Sequence, residues 1–513
     1  MTAELARAGG VLGAAGLSTL LVAPRRDLRL AGLVAITAGC ALLAWYLAPH
    51  GHAKELGAAA VLGLALAGAV AAVLRRWPWA LALLALACVP ARIPVKVGST
   101  DANLLIPLYG LVAGAAVLLA YELLRGDRRV RELGLVAWPL AVFVAWSGLS
   151  IVWTTDLRQG AIELLFFYLP FGVLAVALAR LPWQPRLLVV LVGELALMAL
   201  VFAGVGVYQW VTRDVFWNPK VKVGNAYLPL FRVNSVFWDP SIYGRFLVVA
   251  MLALLVLVLY GRDRRWGYAA GLAIAAMWVG LLFSFSQSSF ISLVAGVVIT
   301  AAIAWRWRAL LPVAFAALVL VGVALGSAQV RHSLFGRSGA GLNNASSGRY
   351  QLVRNGAKIA LAHPVLGVGI GDYKRAYGKR LHLKGAEPKK AASHDTPITV
   401  AAETGVPGLA LFAWLLVAAL WVPFSRVRRT FEGRACLVLG LALAAIAVHS
   451  LFYNAFFEDP TVWGLFGLAA LISALPPRPA EPRHVSEQAP ATDGRTPATA
   501  AAPPADRTPA EAG

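Results

Sequence analysis

The chain has 513 residues, of which 59% are hydrophobic and only 14% are charged. These proportions exclude a water-soluble globular protein, in which roughly a quarter of the residues are charged. The net charge of +21 does not indicate nucleic-acid binding, because the basic residues recur in alternate short loops between apolar segments.

The apolar segments predict an all-α polytopic integral membrane protein. Many uncharged runs reach the roughly 17 to 25 residues that a helix needs to cross a bilayer, and we predict about 14 such helices, within a range of roughly 12 to 15. The predicted spans are 9–23, 30–48, 56–74, 77–95, 104–124, 133–153, 160–179, 187–210, 242–260, 266–283, 290–305, 310–325, 406–423, 436–451 and 462–475. The first is short, follows a single Arg7 and lacks a small-residue cleavage site, so we interpret it as a retained segment that need not cross the whole membrane.

The basic loops predict the orientation of the chain. Clusters of arginine follow alternate spans, at Arg25 with Arg26 and Arg29, Arg75 with Arg76, Arg125 to Arg131, Arg180 with Arg186, Arg262 to Arg265, Arg306 with Arg308, and Arg426 to Arg434. The positive-inside rule places these loops in the cytoplasm, which predicts a multi-pass protein of the cytoplasmic (inner) membrane. The two longest loops then lie on the extracytoplasmic face.

Six segments result. They are N-terminal transmembrane helices in 1–210, a first extracytoplasmic loop in 211–241, transmembrane helices in 242–325, a large basic extracytoplasmic loop in 326–405, C-terminal transmembrane helices in 406–475 and a cytoplasmic tail in 476–513. The tail is rich in Pro, Ala and Thr and poor in large apolar residues, which predicts disorder. Cys40, Cys88 and Cys436 lie in or beside spans without paired spacing, as is typical of packing residues.

The large loop carries a basic excess that topology permits but does not explain. Attraction to anionic lipid headgroups and a site for a phosphorylated substrate are both open. Residues 350–362 are amphipathic at helical spacing, and His363 with Pro364 end them, so Arg349 should lie in the first turn of a helix. Helix N-termini attract anions, and the arginine fork suits phosphate oxygens, although a carboxylate or carbonyl partner is an equally simple interpretation.

His394 precedes a second predicted helix in the same loop. Thr396 is the expected N-cap, Pro397 the first helical residue, and Gly405 follows the end. The positive end of a helix dipole disfavours imidazolium, so a neutral His394 suits a general base. A hydrogen-bonded surface histidine is the alternative.

The first loop contributes Arg232. Asp239 and Pro240 match the cap and first residue of the next span, which holds Arg232 near the membrane surface, where the diphosphate of a membrane lipid would lie. Snorkelling towards lipid headgroups would account for the same position.

Between residues 210 and 464, these stretches resemble the O-antigen ligase and O-antigen polymerase superfamily of bacterial membrane glycosyltransferases. The motifs that carry the resemblance are Ser347-Gly348-Arg349-Tyr350, His363-Pro364-Val365-Leu366-Gly367-Val368-Gly369-Ile370-Gly371, His394-Asp395 and Ala402-Glu403-Thr404-Gly405-Val406-Pro407-Gly408. There are departures from the family pattern: Asp395 replaces the usual Asn, Phe285-Ser286-Gln287-Ser288-Ser289-Phe290 stands where many members have a Ser-Arg pair, and the number of predicted spans exceeds the family's usual twelve.

The resemblance implies that Arg232 and Arg349 bind the diphosphate of an undecaprenyl-diphosphate-linked glycan, while His394 orients or deprotonates an acceptor hydroxyl. The reaction would invert the anomeric carbon and need no metal or other cofactor, because arginines can neutralise the leaving diphosphate. Accessory candidates are Arg245, Arg354, Asp395 and Glu403. The implied partners are the glycan donor, a glycan, lipid or polymer acceptor, and membrane lipids.

Three functions follow. A ligase and a repeat-unit polymerase differ only in the acceptor, and the residues do not separate them. A transporter or flippase of lipid-linked glycans is the alternative from another class, and it would depend on polar residues within the spans, such as Glu194, more than on His394.

Overall fold

A computed structural model describes residues 2–48, 53–97, 100–126, 133–216, 218–227, 231–261, 263–305, 349–382 and 393–474. The described residues all belong to one compact unit. The predicted tail and the predicted span 310–325 lie outside the described residues.

This unit is a helical bundle. Its N-terminal helices are α1 (Thr2–Val22), α2 (Arg26–Leu47), α3 (Ala53–Arg76), α4 (Ala80–Cys88), α5 (Ile106–Leu124), α6 (Ala137–Leu149), α7 (Leu157–Glu163), α8 (Leu169–Ala179), α9 (Pro185–Thr212) and α10 (Pro219–Tyr227). The C-terminal ones are α11 (Pro240–Tyr260), α12 (Arg264–Ser284), α13 (Gln287–Trp305), α14 (Arg349–Ala362), α15 (Tyr373–Arg380), α16 (Thr396–Phe424), α17 (Phe431–Ser450) and α18 (Pro460–Ser473). Short 3₁₀ turns flank α6, at Gly134–Val136 and Ser150–Val152, and a π-helical stretch, Leu164–Tyr168, joins α7 to α8.

Within the described residues, 11 helices are long and apolar enough to cross a membrane. They are α1, α2, α5, the continuous stretches 134–152 and 157–179, α9, α11, α12, α13, α16 and α17. The apolar helix α18 is shorter, with 14 residues. The chain is therefore polytopic.

Two predicted spans need correction. The span 77–95 is wrong, because α4 has nine residues and is followed by a hairpin in which strand β1 (Ile93–Val97) pairs antiparallel with β2 (Thr100–Leu104). Nine residues rise only about 14 Å, less than half of the hydrocarbon thickness. The first span is longer than expected, since α1 begins at Thr2 and has 21 residues, enough to cross.

Small residues let α1 and α2 pack closely. A Cβ atom added to Gly16 would lie 2.6 Å from the Gly32 carbonyl oxygen, and one added to Gly39 would lie 2.6 Å from the Gly9 carbonyl oxygen. Close approach of backbones is the usual way in which membrane helices associate. The helix α1 packs against α6, which belongs to the main hydrophobic core. In that core Phe143 of α6 stacks on Phe457, with 4.6 Å between the ring centroids.

The described parts of the predicted basic loops around Arg180, Arg264 and Arg434 lie at one end of the bundle. Arg180 pairs with Glu122 at 2.9 Å, and Arg434 donates to the Tyr260 carbonyl at 2.7 Å. The loop before α11 and residues 349–382 and 393–395 lie at the opposite end, next to the C-terminus of α12 and the start of α16. Because successive helices run in opposite directions, the arginine-rich loops lie at one end of the bundle and the candidate site at the other.

Candidate functional site

The first loop is held by two side-chain amides. The buried Gln209 of α9 accepts hydrogen bonds from the backbone N–H groups of Asn234 (3.3 Å) and Ser235 (2.8 Å) and donates to the Ser235 carbonyl (3.0 Å). Asn225 binds both backbone groups of Arg232, at 3.0 and 2.9 Å. These hydrogen bonds hold the backbone of Arg232 and of the residues that follow it in place.

The Arg232 side chain is directed by the end of α12. Its Nε donates to the Ser284 carbonyl at 3.1 Å, and Val233 N donates to the Phe283 carbonyl at 3.1 Å. The two terminal nitrogens of the guanidinium have no hydrogen-bond partner among the described residues. They are the pair of donors that suits phosphate oxygens.

Arg349 opens α14, as predicted, and is half-buried. Burial lowers the pKa of Arg349, the nearby positive charge of Arg232 lowers it further, and Asp239 opposes both. Burial likewise lowers the pKa of Arg232, with Asp239 again opposing. The two arginines, which come from different loops, therefore lie near enough to Asp239 to interact with it electrostatically, and Arg349 interacts with Arg232 as well.

His394 lies beside the same arginine. It is half-buried and adopts a left-handed backbone with φ +53°. Burial lowers its pKa below 6.5, the charge of Arg349 adds to this, and Asp239 opposes it. The direction is the one expected from the sequence, but the main cause is burial. The structure thus brings Arg232, Arg349 and His394 together around Asp239.

The cap of α16 differs from the prediction. Asp395, and not Thr396, is the N-cap, because its Oδ1 accepts from Ile398 N at 2.8 Å. Ser393 reaches across His394 and accepts from Asp395 N at 3.0 Å. Asp395 therefore holds the helix start that follows His394.

Three glycines interlock the large loop with α16. Gly405 has φ +72° and interrupts the helix, while Gly367 and Gly369 have φ +68° and +99° in the preceding turn. The interrupted carbonyls of Ala402 and Glu403 accept from Val368 N (2.9 Å) and Gly369 N (2.8 Å). These backbone hydrogen bonds hold the large loop against α16. The helix α14, which begins with Arg349, therefore packs against α16, which follows His394.

Glu403 belongs to this interlock. Its Oε1 accepts from Tyr373 N at 3.3 Å, and the side chain is 8% exposed. The carboxylates of Glu163 and Glu458, with the cation of Lys374, are near enough to interact electrostatically with this region. The structure places Glu403 here, in contact with the loop that carries α15.

The remaining accessory candidates lie apart from one another. Arg245 is buried in α11, where its Nη2 forms a 2.6 Å ion pair with Asp459 Oδ2, and its Nη1 has no hydrogen-bond partner in the described chain. Arg354 is exposed on α14. Neither side chain makes a described hydrogen bond with Arg232, Arg349 or His394.

A groove of about 840 Å³ runs along α11. It is lined almost entirely by apolar side chains of α4, α8, α9, α11, α12, α17 and α18, such as Leu86, Leu191, Phe246, Leu439 and Leu465. Arg245 and Asp459 line one end, and Tyr260 and Arg434 the other, about 22 Å along the helix. The groove thus extends from the end that carries the arginines towards the basic end.

A group of buried polar residues lies next to the Ser284 carbonyl that Arg232 contacts, and the sequence did not predict it. The turn from Ser284 to Ser289 carries hydroxyls that are hydrogen-bonded to one another and to His449 of α17. The available signal was a run of serines and one histidine inside apolar segments. Among the described residues, no group of three or more His, Cys, Asp or Glu side chains could hold a metal ion.

The fold and the site define a polytopic helical membrane protein with paired arginines and a histidine at one end of its bundle. Residues 272–413 match a family model described as O-antigen ligase. The match includes Arg349 and His394 but ends before α17 and begins after Arg232. A comparison with curated proteins found no match.

Proposed function

We propose that this protein is a glycosyltransferase that moves a glycan from a polyprenyl-diphosphate carrier to an acceptor hydroxyl. The observation that carries the proposal is the meeting of Arg232, Arg349 and His394 around Asp239. Two guanidinium groups whose terminal nitrogens have no hydrogen-bond partner among the described residues suit the two phosphates of the donor, and a histidine held neutral by burial suits the acceptor proton.

The chemistry needs one displacement. The acceptor oxygen attacks the anomeric carbon, the bond from that carbon to the diphosphate oxygen breaks, and the configuration inverts. His394 takes the acceptor proton, while Arg232 and Arg349 stabilise the charge that develops on the leaving diphosphate. Asp239 limits the repulsion between the arginines before the donor binds.

The groove along α11 suits the lipid part of the donor. Its apolar lining would hold part of an isoprenoid chain, such as that of undecaprenyl diphosphate, with the phosphates directed to the arginines. In this proposal the segments 211–241 and 326–405 cover the site on the extracytoplasmic face of the cytoplasmic membrane. The tail, 476–513, is then cytoplasmic, and the C-terminal spans in 406–475 complete the bundle.

Ligase and polymerase remain two forms of this proposal, because they differ in the acceptor alone. Transport of lipid-linked glycans is the second candidate. It is favoured by Glu194 of α9, whose buried Oε2 has no hydrogen-bond partner among the described residues. A partly buried carboxylate within a span is a common feature of transport pathways.

The test is transfer by the purified protein in nanodiscs, with undecaprenyl-diphosphate-linked oligosaccharide and candidate acceptors, followed by mass spectrometry. We expect Arg349→Ala to reduce kcat/KM by about 10- to 100-fold, from the loss of a charge-assisted bond. His394→Ala should reduce it by about 100- to 10,000-fold, as is typical for a general base.

The controls are Lys358→Ala, an exposed cation on the same helix as Arg349, and His382→Asn, an exposed histidine with a left-handed backbone. Both should leave transfer unchanged. Transfer that is insensitive to Arg349 and His394, or lipid movement across the bilayer that depends on Glu194 without any new glycosidic bond, would overturn the proposal.

A further inference from the structure

The turn between α12 and α13 supplies the only described hydrogen-bond acceptor for the side chain of Arg232, the Ser284 carbonyl. We propose that His449, acting through Ser288, is a positioning residue that holds this turn and thereby aims Arg232 at the donor diphosphate. The inference rests on the proposed function, because it assigns a role to residues that stand behind one of its binding groups.

A continuous set of hydrogen bonds joins the two residues. Ser288 Oγ lies 3.0 Å from His449 Nε2 and 3.1 Å from Ser286 Oγ. Ser286 N in turn donates to Ser284 Oγ at 3.2 Å. The Ser284 carbonyl then receives Arg232 Nε at 3.1 Å. Each step is within ordinary hydrogen-bond distance.

The turn needs such support because of its backbone. Phe285 has φ +47°, a conformation that costs about 1 to 2 kcal/mol for a residue other than glycine. Ser286 accepts from Ser289 N at 3.4 Å and so caps α13, and Ser289 Oγ reaches the Ser241 carbonyl at 3.4 Å. The Ser288–His449 bond is the described side-chain link from this turn to α17.

Burial makes the link costly to break. Ser288 is 1% exposed and His449 0%, so neither can exchange its partner for water. Truncating one partner leaves the other unsatisfied unless the backbone shifts. A shift of this turn would move the Ser284 carbonyl, and the guanidinium group of Arg232, which is bonded to it, would change its orientation.

The predicted effect is on donor binding more than on the chemical step. The arginine contacts the diphosphate already in the bound donor, so loss of its alignment raises KM with a smaller change in kcat. We expect Ser288→Ala and His449→Leu each to raise the donor KM by about three- to tenfold, the loss expected from one misplaced hydrogen bond. His449→Gln, whose amide can still bond Ser288, should restore most of the binding.

The decisive measurement is a double-mutant cycle on full-length protein in nanodiscs. The donor KM, and the Kd for undecaprenyl diphosphate by native mass spectrometry, are measured for Ser288→Ala and His449→Leu, each with and without Arg232→Ala. If His449 and Ser288 act through Arg232, they add less than twofold once Arg232 is gone. Ser292→Ala is the matched control, since Ser292 is buried on the same helix and its hydroxyl bonds the Ser288 carbonyl at 2.8 Å.

The outcomes separate the two proposals. If Arg232→Ala leaves both KM and Kd unchanged, the assignment of Arg232 in the proposed function fails. If Arg232→Ala weakens binding but Ser288→Ala is fully additive with it, or is no worse than Ser292→Ala, the positioning role alone is overturned. Should His449→Leu unfold the protein, Ser288→Ala with and without Arg232→Ala still gives the cycle, because the loss of one hydroxyl is a smaller change.

Discussion

At the scale of single residues, the site brings two like charges together. Arg232 and Arg349 are both desolvated, and the charge of Arg232 raises the cost of the charge on Arg349, with Asp239 as the shared acidic neighbour. A buried pair of cations is unfavourable unless an anion joins it. A diphosphate would relieve this repulsion, and the relief would strengthen its binding.

His394 should set the pH dependence of the reaction, and the carboxylate of Asp239 should shift it. Because the pKa of His394 lies below 6.5, wild-type kcat/KM should fall only as the pH drops below that value, when the base becomes protonated. Asp239 raises the pKa of His394, so Asp239→Asn should move this acid limb to still lower pH. Asn is as good an N-cap as Asp, so α11 keeps its cap.

The check is a profile of kcat/KM against pH for both proteins at constant ionic strength. If the acid limb of the Asp239→Asn profile stays at the wild-type pH or moves to higher pH, then His394 is not the titrating base, or Asp239 does not act on it. Ser241→Ala, which alters the same helix turn without removing a charge, serves as the control.

At the scale of elements, the interruption of α16 at Gly405 ties the large loop to the bundle. Its φ is +72° and its ψ −173°, and an added Cβ would lie 2.4 Å from the Val365 carbonyl oxygen. Val406 N donates to the Pro364 carbonyl at 2.7 Å across this break. The glycine thus permits the contacts that hold α14 beside α16.

We expect Gly405→Ala to lower the free energy of unfolding by about 2 kcal/mol or more, from backbone strain together with the steric clash. Gly68→Ala is the control, because Gly68 lies within α3 with open space around its Cα. The measurement is thermal unfolding in detergent, followed by size-exclusion chromatography. Equal melting temperatures for the two variants would show that the interlock does not stabilise the loop.

Local signals in the sequence predicted most elements and their ends. Asp239 with Pro240 and His363 with Pro364 mark boundaries that the structure has, because caps and prolines act on adjacent backbone. The span 77–95 was wrong because its apolar composition hid a short helix and a hairpin. The support of Arg232 by Gln209, Asn225 and Ser284 was not predictable, since it depends on how distant helices pack.

At the scale of the whole molecule, the bundle separates a basic end from an end that carries the arginines and His394. The groove along α11 connects the two ends, with Arg245 and Asp459 at one and Arg434 at the other. A lipid-linked donor presents its glycan on one face only, so the proposed reaction requires the site to face outwards. The side of the membrane is therefore the property on which the proposed function depends most.

Cysteine labelling tests this orientation directly. In a variant in which Cys40, Cys88 and Cys436 are replaced by Ala, we would introduce Lys379→Cys on α15 or Arg428→Cys between α16 and α17, both at exposed positions. Because the basic loops should remain in the cytoplasm, a membrane-impermeant maleimide should label Lys379→Cys in cells with accessible cytoplasmic membranes and Arg428→Cys only after permeabilisation. The reverse pattern would put Arg349 and His394 on the cytoplasmic side, where an extracytoplasmic acceptor could not reach them, and the transferase would then have to use a donor and an acceptor of the inner face.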